Sequence, residues 1–128
     1  ITWTGGEPLD QLTAEHLSFF KDHAYFQALE TSGLHPAPDG FDFICVSPKV
    51  AEHVVQKNFP NGVTELRYVR HEGQSVPEPA ITAAHYWISP HSDGFDINTT
   101  NLKHCISLCL QNPKWKMSVQ QHKTWSIL

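Results

Sequence analysis

The stretch Ile1–Pro8, which reads ITWTGGEP, sets the pattern of the fold at the start of the chain. Its first three residues favour a β-strand. The pair Gly5 and Gly6 leaves the backbone bare, so a ligand can approach the main chain closely. Glu7 then supplies a carboxylate that can accept hydrogen bonds from an ammonium group, and Pro8 begins a new segment. The stretch therefore indicates a site for a small cationic molecule, and its alternative is a plain strand-to-helix turn with a solvated Glu7.

Apolar runs and turn signals predict an alternation of strands and helices along the rest of the chain. Phe41–Val46 is a nearly continuous apolar run, which is typical of a strand buried on both faces. The other predicted strands are Tyr25–Leu29, Val63–Val69, His85–Ile88 and Lys116–Gln120. The predicted helices are one within Leu9–Asp22 that Thr13 can cap, a short one over Val50–Lys57, and one that Asn98 or Thr99 caps and Asn112-Pro113 ends.

The last of these helices has the clearest periodicity. Five residues fall at the spacing of one apolar helix face, namely Leu102, Cys105, Ile106, Cys109 and Leu110. This pattern predicts that both cysteines on the helix are core residues.

Strands that alternate with helices predict an α/β fold with a mostly parallel sheet. In such sheets and barrels, ligands bind beyond the carboxyl ends of the strands. Polar clusters follow the predicted strands at Thr4–Glu7, Glu30–Gly33, Ser47–Lys49, Ser89–Ser92 and Gln120–Lys123. Since parallel strands share one carboxyl edge, we expect these clusters to converge on one rim and to form a site there.

Composition limits the class of protein. The chain has 128 residues, which suits one domain, and its net charge of -4 offers no basic surface for nucleic acid. The sequence contains no segment long and apolar enough to cross a membrane and no signal-peptide pattern. Its 3 cysteines argue against a disulfide framework and for a reducing, cytoplasmic compartment.

Two metal sites are rivals to the small-molecule site. The 9 histidines make zinc an alternative, but they are scattered and show no H-E-x-x-H spacing. Asp93, Gly94 and Asp96 are similar to part of a calcium loop, although the full acidic spacing is missing. We assign no residue of the chain as a metal ligand and none as catalytic.

The order of four motifs resembles the 7-carboxy-7-deazaguanine synthase family of radical S-adenosylmethionine (SAM) enzymes. The motifs are Thr4–Pro8 (TGGEP), Glu30–Gly33 (ETSG), Val46–Lys49 (VSPK) and, close to the end, Gln120–Lys123 (QQHK). The GGEP motif occurs in many radical SAM enzymes, whereas the ordered set is more specific. The resemblance implies a partial (βα) barrel and conversion of 6-carboxy-5,6,7,8-tetrahydropterin to 7-carboxy-7-deazaguanine with loss of ammonia.

The resemblance also implies roles for individual residues. Those that would contact SAM are Gly5, Gly6 and Glu7 at its methionine end, and Ser47, Pro48, Lys49, Ser89, Pro90, His91 and Ser92 at its nucleoside and carboxylate. Those that would face the pterin substrate are Thr4, His122 and the terminal carboxylate of Leu128. A carboxylate suits the guanidine-like pterin edge because it can accept two parallel hydrogen bonds.

Family members use a 4Fe-4S cluster on CxxxCxxC-type cysteines, Mg²⁺, and an electron donor such as flavodoxin or ferredoxin. No CxxxCxxC motif occurs in this chain, and Cys105 and Cys109 have the wrong spacing for it. Because Ile1 opens on a strand and is not methionine, we expect a piece of a longer protein that shows no radical activity alone. An unpaired first strand would favour an edge-to-edge homodimer.

Two alternatives remain open. Within the superfamily, the nearest alternative is an activating enzyme that places a glycyl radical on a partner protein, but the short QxHK tail favours a small pterin substrate. Outside enzymes, a parallel sheet with polar turns is also consistent with a nucleotide-binding module.

Overall fold

The computed structural model describes residues 1–94 and 96–121 and shows an α/β fold with one parallel sheet. The strands are β1 (Thr2–Trp3), β2 (Ala28–Thr31), β3 (Phe43–Val46), β4 (Val63–Arg70), β5 (Ala83–Pro90) and β6 (Trp115–Met117). The helices are α1 (Ala14–Asp22), α2 (Glu52–Asn58) and α3 (Thr99–Gln111), with a short 3-10 helix at Pro8–Asp10.

The strands follow one another in the sheet in chain order, from β1 to β6. Parallel registers pair Trp3 with Leu29, Leu29 with Ile44, and Val46 with Leu66. β5 and β6 are also parallel, with Trp87 opposite Lys116. The prediction of a mostly parallel α/β sheet is confirmed, and the described strands form an open sheet in which β1 and β6 are the ends.

Contacts divide the chain into two compact units. The first comprises Ile1–Leu66 and Pro79–His85, and the second comprises Arg67–Glu78 and the described residues from Tyr86 onward. The prediction of a single domain stays a prediction.

The first unit has an apolar core around β2, β3 and the start of β4. Its most buried side chains are Leu17, Leu29, Val46, Val55 and Leu66. Gln27 is also fully buried, and its amide is paired on both sides: Nε2 donates to the Leu17 carbonyl at 2.9 Å and Oε1 accepts from Trp3 Nε1 at 3.2 Å. A paired amide in a core fixes the elements it joins, here β1 and α1.

The second unit has its core between α3 and the ends of β5 and β6. Ile88 and Cys105 are fully buried, and the Tyr68 and Trp115 rings pack edge-to-face with centroids 5.8 Å apart. α3 turns Asn101 and Cys105 inward, while Ile106 is 42% exposed and Leu110 is 78% exposed. The predicted apolar face is therefore correct at Cys105 and wrong at Ile106 and Leu110, because the buried side of the helix is rotated towards Asn101.

Several predicted strand boundaries are also wrong. β2 is Ala28–Thr31 and not Tyr25–Leu29, because Ala24, just after α1, turns the chain in a left-handed conformation with φ 58 and leaves Tyr25 exposed. β6 ends at Met117, before the predicted end at Gln120. The predicted strand over Phe41–Val46 is shortened to β3, where only Cys45 and Val46 are buried.

The end of β5 changes the position of a predicted binding loop. The strand runs on through Pro90, so Ser89 and Pro90 lie inside β5 and only His91 and Ser92 follow it. Proline is compatible with the last position of a strand, where its missing N–H removes little from the ladder. The prediction that all four residues follow the strand is wrong.

Candidate functional site

The Gly5-Gly6 turn after β1 requires glycine for its backbone. Both residues have a positive φ, 83° at Gly5 and 33° at Gly6, a backbone conformation that residues other than glycine rarely adopt. A Cβ at either position would meet no atom within 4 Å, so the turn is open on that side. This is the bare, accessible backbone that the sequence predicts for a ligand-binding turn.

Glu7 lies directly after this turn and is held by four donors. Its Oε1 accepts from the Thr31 hydroxyl at 2.7 Å and from Leu9 N at 3.3 Å. Its Oε2 accepts from Ser32 N at 2.9 Å and from the Ser32 hydroxyl. The carboxylate therefore ties the GGEP turn to the ETSG segment at the end of β2 and also caps the 3-10 helix at Pro8–Asp10.

The electrostatics of Glu7 follow from these contacts. Partial burial acts to raise its pKa, but the hydrogen bonds from Ser32, Thr31 and Leu9 outweigh burial and lower the pKa of Glu7 below its usual value. The Glu7 side chain is thus an anionic group directly after the Gly5-Gly6 turn.

The VSPK segment after β3 joins the same place through its backbone. Ser47 N donates to the Thr31 carbonyl at 2.8 Å, and Lys49 N donates to the Ser32 carbonyl at 3.2 Å. Three of the five predicted polar clusters therefore meet in the first unit, at the carboxyl ends of β1, β2 and β3. Pro48 is half-buried, and the Lys49 side chain is exposed.

Gly33 allows the turn after β2 to pack closely against the core. Its φ is 84, and a Cβ there would lie 3.1 Å from a methyl carbon of Val46 and 3.3 Å from one of Val55. The Asn58 amide, at the end of α2, donates to the Gly33 carbonyl at 3.0 Å. The turn after β2 is therefore packed closely against the core, with its outer carbonyl paired.

Thr4 lies beside the carboxylate of Glu30, a residue with no predicted binding role of its own. Its hydroxyl donates to Glu30 Oε2 at 3.1 Å, and both side chains are exposed. In the register of the sheet, Glu30 lies opposite Cys45, and Cys45 lies opposite Glu65, so these side chains form one row on one face. No local signal in the sequence places Glu30 next to Thr4, because their contact follows from the register between β1 and β2.

A cleft of about 310 Å³ opens beside Thr4 and Gly5 in the first unit. It is lined by Trp3, Thr4, Gly5, Pro8, Gln11, Leu12 and His16. The bare glycine turn therefore borders a space of the size that a small ligand group fills.

The second unit carries the fourth predicted cluster. His91 N donates to the Arg70 carbonyl at 3.0 Å, and Ser89 Oγ donates to the Ser118 carbonyl at 2.9 Å. The His91 ring stacks on the His71 ring with centroids 4.0 Å apart. His122 and Leu128, the predicted substrate-binding residues near the chain end, lie outside the described residues, and so does Lys123. Convergence of all five clusters on one rim stays a prediction.

The cysteines of α3 do not fit an iron-sulfur cluster. Cys105 is fully buried, and burial, together with the neighbouring Cys109 thiol, raises the pKa of Cys105 to about 11. Burial also raises the pKa of Cys109. Both cysteines lie on a helix, one buried and one partly buried, and they do not have the CxxxCxxC spacing of cluster ligands. Among residues 1–94 and 96–121, no group of three histidine, cysteine or acidic side chains could hold a metal ion.

Comparison with known proteins gives the relatives of this chain. A 7-carboxy-7-deazaguanine synthase of Caulobacter vibrioides is 35% identical over 125 residues, which cover 96% of the chain and 57% of that relative. Over nearly its whole length, the chain is similar to 7-carboxy-7-deazaguanine synthases. A synthase of Bordetella pertussis is 34% identical over 125 residues, and one of Haemophilus influenzae is 35% identical over 136 residues.

The matched segments cover nearly all of this chain but a smaller share of each relative. The chain spans 57% of the length of the Bordetella relative and 63% of the Haemophilus relative. No protein-family model matches the chain. None of the helices in the described part of the chain has the length and apolar character needed to span a membrane.

Proposed function

We propose that the protein containing these 128 residues is a radical SAM enzyme that converts 6-carboxy-5,6,7,8-tetrahydropterin to 7-carboxy-7-deazaguanine. The observation that carries this proposal is that ETSG is joined to GGEP through the Glu7 carboxylate and to VSPK through backbone hydrogen bonds. It occurs in a chain whose curated relatives are named 7-carboxy-7-deazaguanine synthase. A glycyl-radical activating enzyme remains the alternative within the superfamily.

The first unit fits the methionine end of SAM. The open Gly5-Gly6 turn exposes main-chain groups, and the anionic Glu7 attracts the ammonium group of the ligand. Thr31 and Ser32 hold the Glu7 carboxylate in one orientation, so little side-chain entropy is lost on binding. Lys49 is exposed beside the same segment and supplies a cation for the SAM carboxylate.

The groups that would bind the pterin differ from those that would bind the methionine end of SAM. Glu30, oriented by the Thr4 hydroxyl, presents a carboxylate that can accept two parallel hydrogen bonds from the guanidine-like edge of the pterin. We propose that Thr4, Glu30 and, near the end of the sequence, His122 and Leu128 bind this substrate. The SAM-binding roles that the resemblance implies for Ser89, Pro90, His91 and Ser92 stay predictions.

When bound, SAM supplies the group that abstracts hydrogen from the substrate. The cysteines of this chain do not fit the cluster that reduces SAM, so its ligands are proposed to come from outside these residues. The ligands of Mg²⁺ are likewise proposed to come from outside these residues. The prediction that these 128 residues alone show no radical activity stays a prediction, as do flavodoxin or ferredoxin as electron donor and a homodimer through the free edge of β1.

The test uses the full-length protein, reconstituted with iron and sulfide without oxygen, and supplied with dithionite, SAM and the carboxypterin. We expect 7-carboxy-7-deazaguanine and 5'-deoxyadenosine by mass spectrometry. Glu7→Gln should lower the rate by at least about tenfold, since a hydrogen bond to a charged group contributes on the order of 1.5–3 kcal/mol. Glu15→Gln, an exposed carboxylate on α1, is the matched control.

Each outcome has a defined meaning. Absence of the deazaguanine product from a protein that cleaves SAM would rule out this substrate and favour the glycyl-radical alternative. A protein that neither binds nor cleaves SAM would rule out both enzyme functions and leave the nucleotide-binding module as the remaining alternative. Equal loss of activity in Glu7→Gln and Glu15→Gln would show that Glu7 has no special role.

A further inference from the structure

One side of α1 carries aromatic rings that the core of the first unit does not bury. His16, Phe19, Phe20 and His23 are three or four residues apart, so they share this side of the helix. The Phe19 ring lies against those of Phe20 and His23, with centroids 5.2 and 4.6 Å apart. Phe19 is 58% exposed, whereas Leu17, on another side of α1, is buried. We call these four residues the α1 aromatic face.

The α1 aromatic face continues into the cleft beside Gly5. The rings of Phe20 and Trp3 pack edge-to-face with centroids 5.5 Å apart, so the helix and the indole form one surface. His16, at the start of the aromatic face, lines the cleft together with Trp3 and Leu12. Monomeric soluble proteins rarely expose a large contiguous apolar surface, and a surface of this kind usually has a partner.

The polar groups of this surface leave a simple pattern for a partner to match. Trp3 Nε1 donates to Gln27 Oε1 at 3.2 Å, so the indole offers its ring and no further donor. His16 Nδ1 accepts from Thr13 N at 3.2 Å, and this bond assigns the proton of the neutral imidazole to Nε2. The surface therefore combines aromatic rings with a single imidazole N–H donor.

The position of the surface in the sheet indicates what covers it. Trp3 lies opposite Leu29 in the register, so it is on the same face of the sheet as the apolar core. In the part of the chain that the structure describes, no strand pairs with the outer edge of β1. Parallel connections are nearly always right-handed. A strand added beside β1 in the same order would therefore bring its connection across Trp3, on the side of α1.

We propose that an apolar segment of the full-length protein, outside these 128 residues, packs on the α1 aromatic face and fills the cleft beside it. The relatives supply the length for such a segment, because the chain spans only 57% of the Caulobacter relative. The inference is independent of the proposed activity. The added strand would also use the edge of β1 at which a homodimer is predicted, so the test must separate these two occupants.

The experiment places a photo-crosslinking residue on the surface of the full-length protein. Phe19→p-benzoylphenylalanine keeps a phenyl ring at the position and captures whatever lies against it under ultraviolet light. Ser18→p-benzoylphenylalanine is the matched control, because Ser18 is exposed on the same helix and lies about 100° around its axis from Phe19. Cross-linked peptides are identified by mass spectrometry after gel separation of monomer and dimer.

The location of the cross-links decides between the occupants. We expect the Phe19 probe to join peptides outside these 128 residues in the monomer band, and the Ser18 probe to give few cross-links. Cross-links in a dimer band would overturn the inference in favour of a second copy. Equal yields from the two probes, or Phe19 cross-links confined to these 128 residues, would also overturn it.

A second pair of variants measures the same contact by stability. Phe19→Asp and Ser18→Asp place a carboxylate on neighbouring positions of α1, so the helix dipole acts on both alike. If a segment covers Phe19, only the first aspartate is buried without a partner. We expect Phe19→Asp to lower the melting temperature of the full-length protein by at least about 4 °C more than Ser18→Asp does. Equal melting temperatures would contradict the covering segment.

Discussion

The hydroxyl of Thr31 donates to the carboxylate of Glu7 at 2.7 Å across 24 residues of sequence. With the two bonds from Ser32, this contact makes Glu7 a structural link as well as a ligand candidate. Glu7→Gln should therefore destabilise the fold, because an amide nitrogen faces donors where a carboxylate oxygen accepted them. We expect a loss of about 1–3 kcal/mol in urea unfolding, whereas Glu15→Gln should leave the free energy of unfolding unchanged.

Acid should remove the contribution of Glu7. The pKa of Glu7 in the folded chain is below its usual value of 4.5, so the folded state holds this proton less tightly than the unfolded state. The stabilisation is then present above pH 4.5 and is lost as the pH falls through the lower folded-state pKa. The difference in unfolding free energy between wild type and Glu7→Gln should shrink over that acid range. A difference that grows in acid would contradict the assignment.

Gly33→Ala should cost more stability than Gly73→Ala. The two glycines have nearly equal positive φ, 84 and 82, so the backbone strain of an alanine is matched. At Gly33 the new Cβ also meets Val46 and Val55 at 3.1 and 3.3 Å, whereas at Gly73 it meets nothing within 4 Å. Overpacking of this kind costs about 1–3 kcal/mol. Denaturant unfolding of both variants gives the difference, and equal costs would show that the turn at Gly33 is loosely packed.

Thr4→Val and Glu30→Gln should affect the pterin and not SAM. The Thr4 hydroxyl orients Glu30 from 3.1 Å, and both residues are exposed, so folding should be unaffected. We expect the KM for the carboxypterin to rise by about tenfold with the Kd for SAM unchanged. Thr2→Val, at an exposed threonine on β1, is the control. An equal effect of Thr2→Val would remove Thr4 and Glu30 from the substrate site.

Alkaline pH should destabilise the second unit through Cys105. Its pKa is raised from 9.0 to about 11, so the folded state holds the thiol proton more tightly than the unfolded state. The stabilisation is present below pH 9.0 and is lost as the pH rises towards 11. Unfolding free energies over this range should fall less steeply for Cys105→Ala than for the wild type. In thiol labelling at pH 8, Cys109, which is partly exposed, should react before Cys105.

The alternation of apolar runs and turns was sufficient to predict a parallel α/β sheet, because each strand and helix carries its own local pattern. The Asn98 cap of α3 was predicted for the same local reason. The end of β5 was not, since Ser89-Pro90 usually marks a turn and tertiary pairing extended the strand through it.

The contacts that assemble the sites were beyond the local pattern. Glu7 meets Thr31 and Ser32 only because β1 and β2 are neighbours in the sheet. Asn101 interrupts the apolar spacing of α3, and its buried position follows from two backbone partners on distant loops. Such pairings depend on the register of the sheet, which a single sequence does not fix.

The bonds around Glu7 also bear on how such chains diverge. Since one carboxylate serves both the GGEP and the ETSG turns, neither turn can be altered freely while the other is kept. Replacement of Ser32 or Thr31 would tend to require a compensating change after β1, and chimeras that exchange one turn alone should be defective. The two motifs thus act as one physical unit that the Glu7 carboxylate holds together.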